Sequence, residues 1–136
     1  MILLDTSVLS AALRRRQPGP AERAVSDRLQ NVLKAGERVA VPGVVLQELL
    51  SGIREARVFE EIKSVLLRGY PIITASVGDH LLAADVVNRC KKMGITVSSV
   101  DALITASALN ARARLFTTDE DFRHISGSVG LRLFED

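Results

Sequence analysis

Four acidic residues stand at separated points of the chain, each in an apolar or small-residue setting. They are Asp5 in M-I-L-L-D-T-S, Glu48 in V-V-L-Q-E-L-L-S-G, Asp101 in S-S-V-D-A-L-I-T-A and Asp119 in L-F-T-T-D-E-D-F. Burying an unpaired charge is costly, so carboxylates in such surroundings call for partners. Two carboxylates about 5–6 Å apart repel by roughly 3 kcal/mol at an effective dielectric of 20. Four brought together would oppose more than the ~5–15 kcal/mol stability of a typical domain, unless protons or a cation bind. Oxygen donors without His or Cys favour Mg²⁺ or Mn²⁺ over zinc. A hard cation ringed by aspartates points to phosphate chemistry.

Other routes to that chemistry lack their residues. The chain has no G-x-x-x-x-G-K-[ST] loop, no G-x-G-x-x-G turn and no G-x-S-x-G elbow. Asp5 is not followed two residues on by a second Asp, so a phosphoaspartate hydrolase pattern is not met. Cys90 falls on an apolar helical stripe, and His80 and His124 lie outside the acidic segments. Metal-activated water acting on a phosphodiester remains.

Each acid also has a structural explanation. Asp5, Asp101 and Asp119 fall at helix starts, where acids cap free N–H groups. Asp5 and Asp119 also follow directly on apolar strands, where open parallel sheets bind their ligands. Glu48 is expected to line a cleft. Leu46, Leu49, Leu50 and Ile53 make the core stripe of its helix, and Glu48 faces away among Val44, Val45, Ser51 and Gly52. A buried ion pair with an Arg is the alternative.

The elements that must carry these residues alternate along the chain. Residues 1–4 read as a buried strand, and Ser7 to Arg16 as a helix stopped by Gln17-Pro18-Gly19-Pro20. A helix with Pro20 at its first position runs to Gly36. Val39 to Val41 is a strand, Pro42 opens the Glu48 helix, and Gly52 is a candidate break. The next helix runs to about Leu67; its Phe59, Ile62 and Leu66 suit either core packing or a groove for a partner helix. Tyr70 to Thr74 is a strand, and Ser76 with Asp79 forms a capping box for a helix ended by Gly94. Ser98 with Asp101 repeats that pattern for an Ala-rich helix, 100–111. Arg114 to Thr118 is a strand, Asp119 to Ile125 a short helix and Leu131 to Phe134 a last strand. This order predicts one three-layer α/β domain over residues 1–136, a parallel sheet with helices on both faces.

Bulk composition agrees. With 136 residues, 47% hydrophobic and 4% aromatic, the chain can bury an aliphatic core. The single cysteine excludes an internal disulfide and fits a reducing compartment. Asp5 interrupts the N-terminal apolar run, so neither a signal peptide nor a membrane span is expected, and the protein reads as cytoplasmic. Committing four of the 16 acids to one site leaves 12 against 18 basic residues elsewhere, which suits a polyanionic partner. Arg14-Arg15-Arg16 is the one basic run, a candidate RNA contact or a helix C-terminus favoured by cations.

Over its whole length the chain resembles the PIN-domain ribonucleases, and among them the VapC-type toxins. The resemblance rests on I-L-L-D5-T-S, P-x-V-V-x-x-E48-L-x-x-G52, D101-A-L-I and T-T-D119-E-D121-F in that order. It implies a five-stranded parallel sheet of order 3-2-1-4-5 and an Mg²⁺ or Mn²⁺ site formed by Asp5, Glu48, Asp101 and Asp119. Thr6, Ser7 and Thr117 or Thr118 would be hydroxyls that orient ligands or water, and Asp121 would assist or cap. Thr105 departs from the alanine of many relatives, a change expected to touch packing rather than chemistry. The implied function is an endoribonuclease toxin, homodimeric and silenced by a VapB-like antitoxin. An RNA-maturation nuclease without antitoxin, and a non-cleaving RNA- or metal-binding module, are the alternatives.

Overall fold

Ile2–Leu4 (β1), three aliphatic residues with no exposed surface, forms the middle of the sheet. In the computed structural model, residues 1–14 and 17–135 are described. The chain continues through Thr6–Leu13 (α1), Pro20–Lys34 (α2), Val39–Pro42 (β2), Gly43–Leu50 (α3), Ala56–Gly69 (α4) and Ile72–Ile73 (β3). It then forms Val77–Lys92 (α5), Ser99–Ala111 (α6), Arg114–Phe116 (β4) and Asp121–Val129 (α7).

The four strands are parallel, in order β3-β2-β1-β4. Leu3 pairs with Ala40 on one side and Leu115 on the other, and Val41 pairs with Ile72. The expected fifth strand is reduced to a single parallel bridge, Leu115 to Leu133, in the expected place beyond β4. Leu115 N–H donates to the Arg132 carbonyl and Phe134 N–H to that of Leu115. Beyond this bridge the segment's only neighbour strand has ended, because Thr117 and Thr118 leave β4 to make side-chain hydrogen bonds.

Crossovers carry the chain from β1 outward to β2 and β3, then back across to β4; such connections are right-handed as a rule, which puts the two sets of helices on opposite faces. The packing follows: α1 lies against α2 and α3, while α5 lies against α6 and α7. The direction reverses between β1 and β4, which opens a crevice past their C-terminal ends. α3 meets α6 beside it.

Local signals account for most boundaries. Ser76 and Asp79 form a complete reciprocal capping box on α5. Gly52, in the left-handed region at φ +86, separates α3 from α4. α1 ends at Leu13 with Arg14 as its C-cap, short of the expected Arg16; Arg15 and Arg16 lie outside the described residues. Ile62 and Leu66 are buried in the core, while Phe59 is half-buried and Ile62 also lines a cavity with Ile53 and Val58. Among the described residues no helix is long and apolar enough to cross a membrane.

Removing a side chain buried on both sheet faces costs about 2–5 kcal/mol. Leu3→Ala is expected to lower the urea-denaturation free energy by that amount. A loss below about 1 kcal/mol would place β1 elsewhere than the sheet centre.

Candidate metal centre

The strand β1 delivers Asp5 straight into the crevice, where its N–H donates to the Phe116 carbonyl at 3.0 Å. The side chain is 4% exposed and does not cap α1. Instead its Oδ2 accepts from the Ser7 hydroxyl at 2.8 Å and the Thr117 hydroxyl at 2.7 Å. Ser7 Oγ in turn accepts from Thr118 N–H at 3.0 Å, and Thr117 Oγ1 from Asp119 N–H at 3.0 Å. Asp119 Oδ1 accepts from Asp121 N–H at 2.9 Å. A continuous run of hydrogen bonds thus ties the start of α1 to the loop after β4. Of the two threonines, Thr117 holds the carboxylate, while Thr118 contributes its backbone.

The Asp119 contact is a local turn that delays α7 to Asp121, two residues later than expected. The delay has a consequence for the site. One carboxylate oxygen from each of Asp101, Asp119 and Asp121 lies within 4.8 Å of the others. Asp121, expected only to assist or cap, belongs to the tightest acidic group.

Asp101 sits in the first turn of α6. Ser98 Oγ caps that helix by accepting Asp101 N–H at 3.1 Å. Thr105, fully buried, donates its hydroxyl to the Asp101 carbonyl at 2.8 Å. Its departure from alanine therefore adds a bond one turn below the acid. Burial pushes the Asp101 carboxyl up to about 6, with the charges of Asp5, Asp119 and Glu48 adding to the shift and the Ser98 hydroxyl opposing it. That coupling brings all four acids into one electrostatic neighbourhood.

Glu48 departs from its expected setting. It is exposed, and Val45, expected beside it in a cleft wall, is core with no exposed surface. Its partner is a hydroxyl and not an arginine: Thr6 Oγ1 donates to Glu48 Oε1 at 2.7 Å. Three consecutive residues, Asp5, Thr6 and Ser7, therefore tie together β1, α3 and the loop after β4. Among the described residues no ion pair reaches any of the four acids, and His80 and His124 are exposed outside the group. Arg14 lies apart, lining a cavity with Gly52, Ile53 and Val58.

The donor set fits a hard divalent ion. One carboxylate oxygen each from Asp101, Asp119 and Asp121 lies within 4.8 Å of the others, an all-oxygen set of the kind hard cations take. Both side-chain bonds to Asp5 arrive at Oδ2, which leaves Oδ1 for the same task.

Comparison with known proteins bears on the fold that carries these residues. The family model described as "PIN domain" matches residues 2–128. VapBC2 of Rickettsia felis, solved bound to a DNA fragment from its promoter, superposes with a TM-score of 0.80 at 20% identity, covering 98% of each chain. VapBC-1 of nontypeable Haemophilus influenzae gives 0.76 at 20% identity over 99% of this chain and 98% of its own. VapC20 of Mycobacterium tuberculosis, a Sarcin-Ricin loop cleaving toxin, gives 0.71 at 22% identity over 97% and 99%.

The raised Asp101 carboxyl has a measurable sign. The folded chain holds this proton more tightly than the unfolded one, so its contribution to stability is full below pH 3.8 and is lost as pH rises through about 6. In EDTA, Asp101→Asn is therefore expected to gain stability relative to wild type between pH 5 and pH 7. Denaturation curves at the two pH values check this; an unchanged difference between them would mean that neither burial nor the neighbouring acids raise this carboxyl.

Proposed function

This chain belongs to the PIN-domain family, and from that premise we propose that it is a divalent-metal-dependent endoribonuclease, the toxin of a toxin–antitoxin pair. The observation that carries the reading is the convergence of Asp5, Glu48, Asp101 and Asp119 from four elements, joined by Asp121 and tied by hydroxyls instead of cations. The hydroxyl partners of Asp5 and Glu48 orient these carboxylates without cancelling their charge, which suits an ion.

Asp5, Asp101, Asp119 and Asp121 would hold Mg²⁺ or Mn²⁺, which supplies an activated water and stabilises charge on the phosphodiester oxygens. The chain's own residues fix where that happens. Ser7 and Thr117 lock the Asp5 carboxylate, and Thr6 locks Glu48 at the rim. Such hydroxyl partners leave the acids their full negative charge, which an arginine partner would not.

The partner reading draws on the similar proteins, which include a toxin–antitoxin complex from Klebsiella pneumoniae. It proposes a VapB-like antitoxin that neutralises the acidic site, RNA as substrate, and a homodimer. Val77 and Leu81, well exposed on α5, offer apolar surface for pairing. The antitoxin distinguishes this reading from an RNA-maturation nuclease, and an intact acidic set disfavours a non-cleaving module.

Cleavage is expected for structured RNA with single-stranded loops in Mn²⁺, with Asp101→Asn reduced at least about 100-fold. In a bacterial host, expression of wild type is expected to arrest growth while Asp5→Asn grows normally. Equal cleavage by wild type and Asp101→Asn would sink the proposed chemistry; equal growth would sink the toxin role. Metal binding has its own readout. Saturating Mn²⁺ is expected to raise the melting temperature by on the order of 10 °C relative to EDTA, and Asp101→Asn to abolish most of that rise. Identical melting in both conditions would remove the metal from the account.

A further inference from the structure

The end of the sheet opposite the acidic crevice carries a row of arginines. Arg38 leads into β2, and its carbonyl accepts the Ile2 N–H at 2.8 Å. Arg112 is the C-cap of α6, and Arg114 opens β4, its N–H donating to the Met1 carbonyl at 3.0 Å. Arg132 stands in the bridging segment beyond β4, where its carbonyl accepts the Leu115 N–H at 2.9 Å. With β1 and β4 between them, Arg38 and Arg132 are three strand spacings apart, about 14 Å.

Arg38, Arg112 and Arg132 are exposed, and among the described residues no ion pair reaches any of them. The acids of the neighbouring segments are engaged elsewhere. Glu37 pairs with Arg114 at 3.7 Å and Glu135 with Arg123 at 3.0 Å, while Asp79 accepts from Asn110 Nδ2 at 2.7 Å. Arg132 Nη2 donates to the Arg112 carbonyl at 2.9 Å, which anchors one guanidinium beside the other residue. Arg112 carries a second signal. It lies in the left-handed region at φ +52, whereas the other such positions described, 36, 52, 94 and 130, are all glycine. A side chain there costs energy that glycine would not, so the helix end gains nothing from an arginine. The guanidinium is what the position adds.

We propose that this arginine row is a docking surface for the backbone of structured RNA, separate from the crevice that cuts it. The proposal rests on the nuclease reading above. An acidic crevice repels phosphates until a metal binds, so affinity for RNA must come from elsewhere on the chain. Guanidinium forks without carboxylate partners match phosphate oxygens. A protein interface would need an apolar centre, and of the exposed large hydrophobics only Met1 belongs to these segments. Met1 and Asp5 are four residues apart along β1, about 13 Å, with the domain between the two surfaces. An RNA that touches both must bend round the domain, which a short single strand lying in the crevice does not do.

The test compares a labelled RNA hairpin with a short single-stranded oligonucleotide, binding being measured in an Asp101→Asn background across a salt series. For the hairpin, Arg38→Gln and Arg132→Gln are each expected to lower the slope of log affinity against log salt by about 1. Arg38→Lys and Arg132→Lys should restore it, and the oligonucleotide should bind all variants alike. Arg112→Gly should raise the melting temperature by about 3 °C yet weaken hairpin binding about fivefold, a split that a structural role would not produce. In the otherwise wild-type enzyme, the three substitutions Arg38→Gln, Arg112→Gly and Arg132→Gln together should raise the hairpin KM at least about tenfold. Its kcat should stay within about twofold, and the oligonucleotide KM should not move. If wild type cuts RNA and the folded triple variant keeps its hairpin KM and salt slope, the docking surface is wrong while the nuclease reading stands. Equal losses on hairpin and oligonucleotide would also overturn a surface separate from the crevice. Wild type that neither binds nor cuts RNA in Mn²⁺ would overturn both readings. Weakened capture of the antitoxin with hairpin binding unchanged would assign the row to a protein and overturn the proposal. Should the triple variant fail to fold, the Arg112→Gly measurements decide in the same way.

Discussion

A carboxylate with 4% exposure at the end of the central strand constrains everything around it. Buried charge without partners is more costly than a typical domain can bear, so Asp5 must be met by donors wherever β1 ends. Its partners, Ser7 and Thr117, come from the helix that follows β1 and from the loop that follows β4. Satisfying Asp5 therefore requires β1 and β4 to be neighbours. It also requires Thr117 to leave the ladder, and it fixes the position of Asp119 through the Thr117 hydroxyl. The sheet order and the acidic crevice are two expressions of one requirement.

The same logic explains the choice of hydroxyls. Ser and Thr donate a hydrogen bond without cancelling charge, so they orient a carboxylate and leave its attraction for cations in place. The ion pairs of the described residues serve other ends, along exposed faces such as Arg57–Glu61 and Arg89–Asp85, where each contributes little. Electrostatic tension is thus concentrated at one place, and Asp101, the half-buried member, registers it most strongly.

Much of this was readable from residue order. An uninterrupted aliphatic run before Asp5 marks a strand buried on both faces. Ser76 and Asp79 announce a cap that forms in full, and the alternation of strands and helices leads to the observed parallel sheet. What sequence could not supply depends on which of several competing contacts a side chain makes. Asp119 looks like a helix start, yet its carboxylate turns back onto Asp121 N–H, and that turn is what swings Asp121 into the group. Glu48 seems enclosed by valines when read along its helix, because the direction in which α3 rolls is decided by Val45 and Leu49 meeting the core. The last strand shrinks to a bridge because its partner β4 yields Thr117 and Thr118 to the site. For Glu48 and the last strand, a long-range partner outweighed local propensity; for Asp119, one local turn outweighed another.

The bond from Thr117 to Asp5 spans 112 residues of sequence. A ribosome adding about 5–20 residues per second needs roughly 6–22 s to travel between them. Throughout that interval the first strand lacks its β4 neighbour and the acidic crevice lacks one wall. The topology itself therefore withholds the assembled crevice until Thr117 has been made.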